Sequence, residues 1–121
     1  MALTTTPFSS NLGAILITYD DTTSTAATNT RGAAGTLYML RIDNSLNSAS
    51  MYFKIVDGNS ATPGTTSPDF VFRVRASTKT TYVFPTGLVF STGFTHWCVT
   101  AGGTAGTTSA TADVTVNYIT S

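Results

Sequence analysis

The chain has no Glu and no Gln, and only 10% of its 121 residues are charged. Glu and Gln help to build exposed helix faces, so a helical protein of this length would be hard to assemble without them. Their absence also removes the commonest carboxylate acid/base, leaving six Asp, one His and one Cys for any chemistry. With a single cysteine, Cys98, no internal disulfide can form. That suits folding in a reducing cytoplasm. Six Lys plus Arg against six Asp give no net charge, and so no field to steer nucleic acid or an anionic membrane. No apolar run approaches the roughly 20 residues of a membrane span, and the start, Met-Ala-Leu-Thr-Thr-Thr-Pro-Phe-Ser-Ser, lacks the basic and apolar regions of a secretory signal. No partner in nucleic acid or membrane is therefore expected.

Thr and Ser together make up about a third of the chain. Thr is β-branched and fits a pleated, half-buried surface. The length suits one domain with one core. So low a charge is unusual for a freely diffusing monomer, and burial of surface in an assembly would explain it.

Short segments with strand character recur between turn-rich ones. Leu12 to Tyr19 is apolar on both faces, as in a covered strand, and Asp20 to Ala34 reads as a loop or weak edge strand. In Thr36 to Asp43, Tyr38, Leu40 and Ile42 form one row and Leu37, Met39, Arg41 and Asp43 the other. Ser50 to Asp57 follows a short polar link, so the two strands are expected to pair as a hairpin. Phe70 to Ala76 alternates cleanly, with Val71, Arg73 and Arg75 on its wetter face. Thr80 to Phe84 is expected to end at Pro85, followed by a short apolar stretch, Leu88 to Phe90. Phe94 to Thr100 and Val114 to Ile119 are the last strands, and Ala101 to Thr111 between them reads as a loop with no anchor. The fold expected is all-β: an antiparallel β-sandwich of seven or eight strands, jelly-roll or immunoglobulin-like. Residues 1–11 would form an extended N-terminal arm and 12–121 a single sandwich domain.

Candidate chemistry is sparse. His96 and Cys98 lie two apart on a strand and point the same way, but structural zinc needs four ligands, and a packed core pair is the simpler reading. Asp20-Asp21 and Asp57-Gly58-Asn59 could offer oxygens to Ca²⁺, yet neither has the spaced ligand series of a dedicated loop, and turn chemistry explains both. Arg73, Arg75 and Lys79 form a basic cluster that could receive a carboxylate, or simply a solvated sheet face. Gly102-Gly103 lacks the helix and Lys of a phosphate cradle. Tyr19, Tyr38, Tyr52, Tyr82 and Trp97 could make a sugar-stacking platform, although aromatics in strands usually fill cores. No enzyme, cofactor or metal is expected.

The stretch Phe84-Pro85-Thr86-Gly87-Leu88-Val89-Phe90-Ser91-Thr92-Gly93-Phe94 resembles a recurring segment of small tailed-phage proteins, in which a Pro-x-Gly-Leu-x-Phe-Ser-Thr-Gly turn precedes the last strands. Gly35-Thr36-Leu37-Tyr38, Ile42-Asp43-Asn44, Met51-Tyr52-Phe53-Lys54-Ile55, Thr62-Pro63-Gly64-Thr65 and Ala112-Asp113-Val114-Thr115-Val116-Asn117 resemble the same group, so the likeness spans roughly residues 35 to 119. The resemblance implies a virion structural protein similar to the β-sandwiches that decorate phage heads. Such a protein would act as a capsid decoration, or cement, protein on the head surface, assembled in the host cytoplasm. It would form a homotrimer and stabilise contacts between copies of the major capsid protein. A tail, neck or baseplate component and a carbohydrate-binding adhesin module are the alternatives. Within the Thr-rich start, Leu3, Pro7 and Phe8 are the residues expected to dock on a neighbour by edge pairing.

Overall fold

The computed structural model describes residues 15–28 and 34–121. Among the described residues there is no helix. Eight strands follow one another: β1 (Ile15–Tyr19), β2 (Ala27–Thr28), β3 (Gly35–Asp43), β4 (Met51–Asp57), β5 (Phe70–Val74), β6 (Lys79–Phe90), β7 (Phe94–Val99) and β8 (Thr115–Thr120). They form two antiparallel four-stranded sheets, ordered β1-β8-β3-β6 in sheet A and β2-β7-β4-β5 in sheet B.

The pairing is nested. β1 pairs with β8, β2 with β7, β3 with β6 and β4 with β5. The chain is thus one long hairpin folded at the β4–β5 connection. Rolling that hairpin so that β3 meets β8 and β4 meets β7 splits it into two sheets. That is the jelly-roll arrangement, and of the two sandwiches expected it excludes the immunoglobulin-like order.

Several local expectations change. β3 and β4 do not pair as a hairpin, because residues 44–50 carry the chain from one sheet to the other. Two asparagines hold that crossing: Asn44 Nδ2 donates to the carbonyls of Ala49 (3.0 Å) and Arg75 (3.0 Å), and Asn47 exchanges two bonds with the backbone of Ala112. In β3 the register shifts between Leu37 and Met39, so Tyr38 is an inserted residue and Leu37 joins Leu40 and Ile42 inside. β6 runs on past Pro85, which does not end it. Its ladder instead breaks locally, with Phe84 to Gly87 bulging opposite Tyr38. Gly87 takes φ +79°, and a Cβ there would overlap the Thr36 methyl, so glycine is required by both conformation and space. The weak edge expected in Asp20 to Ala34 is the two-residue β2.

Sheet A contributes Ile17, Leu37, Leu40, Ile42, Phe90, Val116 and Tyr118 to the core, and sheet B contributes Met51, Phe53, Ile55, Val74, Phe94 and Cys98. At the flank where β5 and β6 lie, aromatic contacts bridge the sheets: Phe72 meets Tyr82 at 4.8 Å and Phe70 meets Phe90 at 6.2 Å between ring centroids.

Candidate functional site

The two outer faces differ in what lies on them. On sheet B, Lys54 of β4 and Trp97 of β7 are neighbours in register, and both are fully buried although they point away from the core. Residues 100–109 lie against this face of the sheet. Lys54 Nζ donates to the Ala105 carbonyl (2.8 Å), the Thr100 amide donates to the Thr108 carbonyl (3.0 Å), and the Ser24 amide donates to Ser109 Oγ (2.9 Å). Gly102 lies against the Tyr52 ring. The stretch expected to be an unanchored loop is therefore a bonded roof. Beneath it the Lys54 ammonium has lost its water, and this desolvation lowers its pKa.

Among the described residues no such layer lies over the outer face of sheet A. Register places Leu16 beside Ile119, Ile119 beside Met39, and Met39 beside Val83, so one apolar row crosses all four strands. Its ends stand in solvent, Leu16 at 65% and Val83 at 62% exposure. The covered strand expected at Leu12 to Tyr19 is thus bare on one face; the strand covered on both faces is β7, buried throughout. Residues 12–14 lie outside the described residues. The next row is polar: Thr18, Asn117, Arg41 and Thr81, with Asn117 Nδ2 donating to Thr18 Oγ1 (2.7 Å). The third holds Thr115, Asp43 and Lys79, and Lys79 pairs with Asp43 at 3.5 Å.

His96 and Cys98 point the same way, into the core. The imidazole packs against Tyr19 (4.7 Å), Phe53 (5.2 Å), Phe94 (5.5 Å) and Tyr118 (5.5 Å), and among the described residues neither of its nitrogens has a hydrogen-bond partner. Burial pushes His96 down to about 3 and the Cys98 thiol up to about 12. At neutral pH neither imidazolium nor thiolate forms, so the pair has no nucleophile to offer. Among the described residues no three His, Cys, Asp or Glu side chains come together as a metal site.

Asp57 serves a turn. Its carboxylate accepts from the Ser91 amide (3.0 Å), Ser91 Oγ (2.9 Å), the Thr92 amide (2.8 Å) and the Gly93 amide (3.1 Å). These donors hold its pKa at about 2 and occupy the lone pairs that a Ca²⁺ would need. Ser91-Thr92-Gly93 is thus the loop that Asp57 grips. Gly93 comes so close to Gly58 that a Cβ would sit 2.9 Å from the Gly58 carbonyl, and no larger residue fits.

The remaining candidates separate. Asp21 accepts from the Val114 amide (3.4 Å), which brings Asp20, Asp21 and Asp113 to one exposed corner. Lys79 is taken by Asp43, while Arg73 and Arg75 are exposed and make no ion pair among the described residues. The tyrosines and Trp97 do not form a platform: Tyr19 packs on His96 inside and Trp97 is under the roof. Leu3, Pro7 and Phe8 lie outside the described residues. Sequence reasoning missed the apolar row, because it exists only once the register of four strands is known. Lys54 between Phe53 and Ile55 carried a signal for the roof: a lysine inside an apolar run.

No family model matches the chain, and neither the curated proteins nor the solved structures contain a match to it. Among the described residues no helix is long and apolar enough to cross a membrane.

Proposed function

We propose that this chain is a decoration protein of a tailed-phage head, a homotrimer that binds the outer capsid surface and reinforces contacts between major capsid subunits. The observation that carries the reading is the asymmetry of the sandwich: the β4/β7 part of sheet B is covered from the β7–β8 link, and sheet A presents, among the described residues, an uncharged apolar row with polar rows beside it. A row of this kind is a docking feature when flanked by polar residues. Jelly rolls serve as viral capsid and lectin domains, so the fold is compatible with the reading without assigning it.

Magnitude favours a many-copy partner over a single tight one. Four strands about 4.8 Å apart and about six residues long offer roughly 400 Å² of face, about half of what each side of a standard interface buries. One copy would attach weakly. Several copies held together on a repeating surface would attach strongly, because each binding event raises the effective concentration for the next.

The test is a cryo-electron-microscopy map of the intact particle that carries the protein. Density at threefold or quasi-threefold positions of the head, with sheet A facing the capsid, is the expected result. Density confined to the tail would move the protein to the tail reading, and absence from the particle would remove both.

A further inference from the structure

We propose that copies of this chain join flank to flank, the β1 side of one against the β5/β6 side of the next. The inference deepens the homotrimer part of the reading above and rests on it. It names the surfaces that meet.

Three observations carry it. Asp20, Asp21 and Asp113 are exposed at one corner beside β1 and β8, and no cation pairs with them among the described residues. Arg73 on β5 and Arg75 just past it are exposed, and among the described residues the one acceptor for either side chain is Ser50 Oγ, 3.3 Å from Arg73. The two corners lie on opposite flanks, since β1 is the first strand of its sheet and β5 the last of the other.

Both corners also belong to the same end of the sandwich. Asp20 accepts through its carbonyl from Thr115 Oγ1, and Thr115, Asp43 and Lys79 share a row. Asn47 bonds Ala112 on one side and accepts from the Ser77 amide, two residues past Arg75, on the other. Copies laid side by side in the same orientation would therefore bring acid to base without tilting.

The third observation is the level of the two bare edge residues. Leu16 on β1 and Val83 on β6 end the same apolar row, at opposite edges of sheet A. In the side-by-side arrangement Leu16 of one copy meets Val83 of the next, and the row continues from copy to copy. A contact between two different patches is heterologous, and it closes into a ring when the rotation allows. Exposed ion pairs change affinity by only about fivefold each. The charges thus choose the partner and its orientation, and the apolar contact holds it.

The experiment measures the mass of the full chain by sedimentation velocity, with near-ultraviolet circular dichroism of Trp97 as the check on folding. Wild type should be a closed oligomer, a trimer in the reading above. R73E/R75E and D20K/D21K/D113K should each sediment as folded monomers, and an equimolar mixture of R73E/R75E with D20K/D21K/D113K should recover mixed oligomers. A monomeric wild type, an unchanged mass in both charge reversals, or a mixture that stays monomeric would overturn the proposal. Binding to heads is scored separately on the same variants. Attachment by wild-type oligomers whose mass the reversals leave unchanged would sink this interface alone, and ring formation without attachment would sink the decoration reading alone.

Discussion

Outside β4 and β7, Lys54 and Trp97 are buried, with Lys54 bonded to Ala105 of the β7–β8 link; outside β1 and β6, Leu16 and Val83 stand in solvent. Both faces belong to four-stranded sheets over one core, and both carry large side chains. What separates them is a connection. The β7–β8 link is long, and its residues 100–112 are all Gly, Ala, Thr or Ser, small enough to lie flat on a sheet and polar enough to bond to it. A large residue on an outward face is thus either part of an inner layer made by a loop or part of a surface that meets something else.

Acid should undo both faces at once, because the core layer beneath them holds His96. Folded His96 titrates near 3, against about 6.5 unfolded. Between those values only the unfolded chain takes up the proton, so stability is intact above pH 6.5 and falls as pH drops toward 3. The loss there amounts to roughly 5 kcal/mol. Asp57, held at about 2, adds a further loss below its ordinary value of 3.8. Denaturant unfolding followed by Trp97 fluorescence at stepped pH measures the slope. His96→Phe should remove most of it, and an unchanged slope in that variant would show that the buried imidazole is not its source.

Trp97→Ala strikes one face only. It empties the space beneath the roof and should cost about 3–5 kcal/mol, as for other buried aromatics. Hydrogen exchange at the Thr100 amide, bonded to Thr108, should quicken more than exchange in sheet A. Equal quickening in both sheets would mean that the roof and the core are one cooperative layer.

The smallest effect on stability should come from the bare row. Met39→Ser and Val83→Ser sit on exposed or half-exposed positions and should change unfolding free energy by less than about 1 kcal/mol. Self-association and attachment should nevertheless weaken at least tenfold. Chemical denaturation and sedimentation on the same samples separate the two. A large loss of stability would show that the row is part of the fold and not a docking surface.

Alternation made the strands readable. Phe94, His96 and Cys98 fall inside as a period of two requires, and Val116 and Tyr118 do the same. The Tyr38 insertion was hidden, since a bulge adds one residue without changing composition and reverses the expected side of Leu37. The hairpin expected between β3 and β4 failed because a short polar link can turn within one sheet or cross to the other, and only the bonds of Asn44 and Asn47 decide. Asp57 was visible as a turn residue. Its hold on Ser91, Thr92 and Gly93, more than thirty positions away, was not. The two charged corners depend on the same distant pairings, and single residues such as Asp113 or Arg75 gave no hint of sharing an end.

The nested pairing also sets an order of events during synthesis. β8 lies between β1 and β3, so the first described strand has no partner in its sheet until residues 115–120 have been made. The β4–β5 ladder closes a short loop and can form early; each enclosing pair closes a longer one. Until β8 arrives, the edge of β3 and the core side of Ile17 remain open to any other chain nearby. Each chain therefore depends on adding β8 before it meets another, and those six residues act as the clasp.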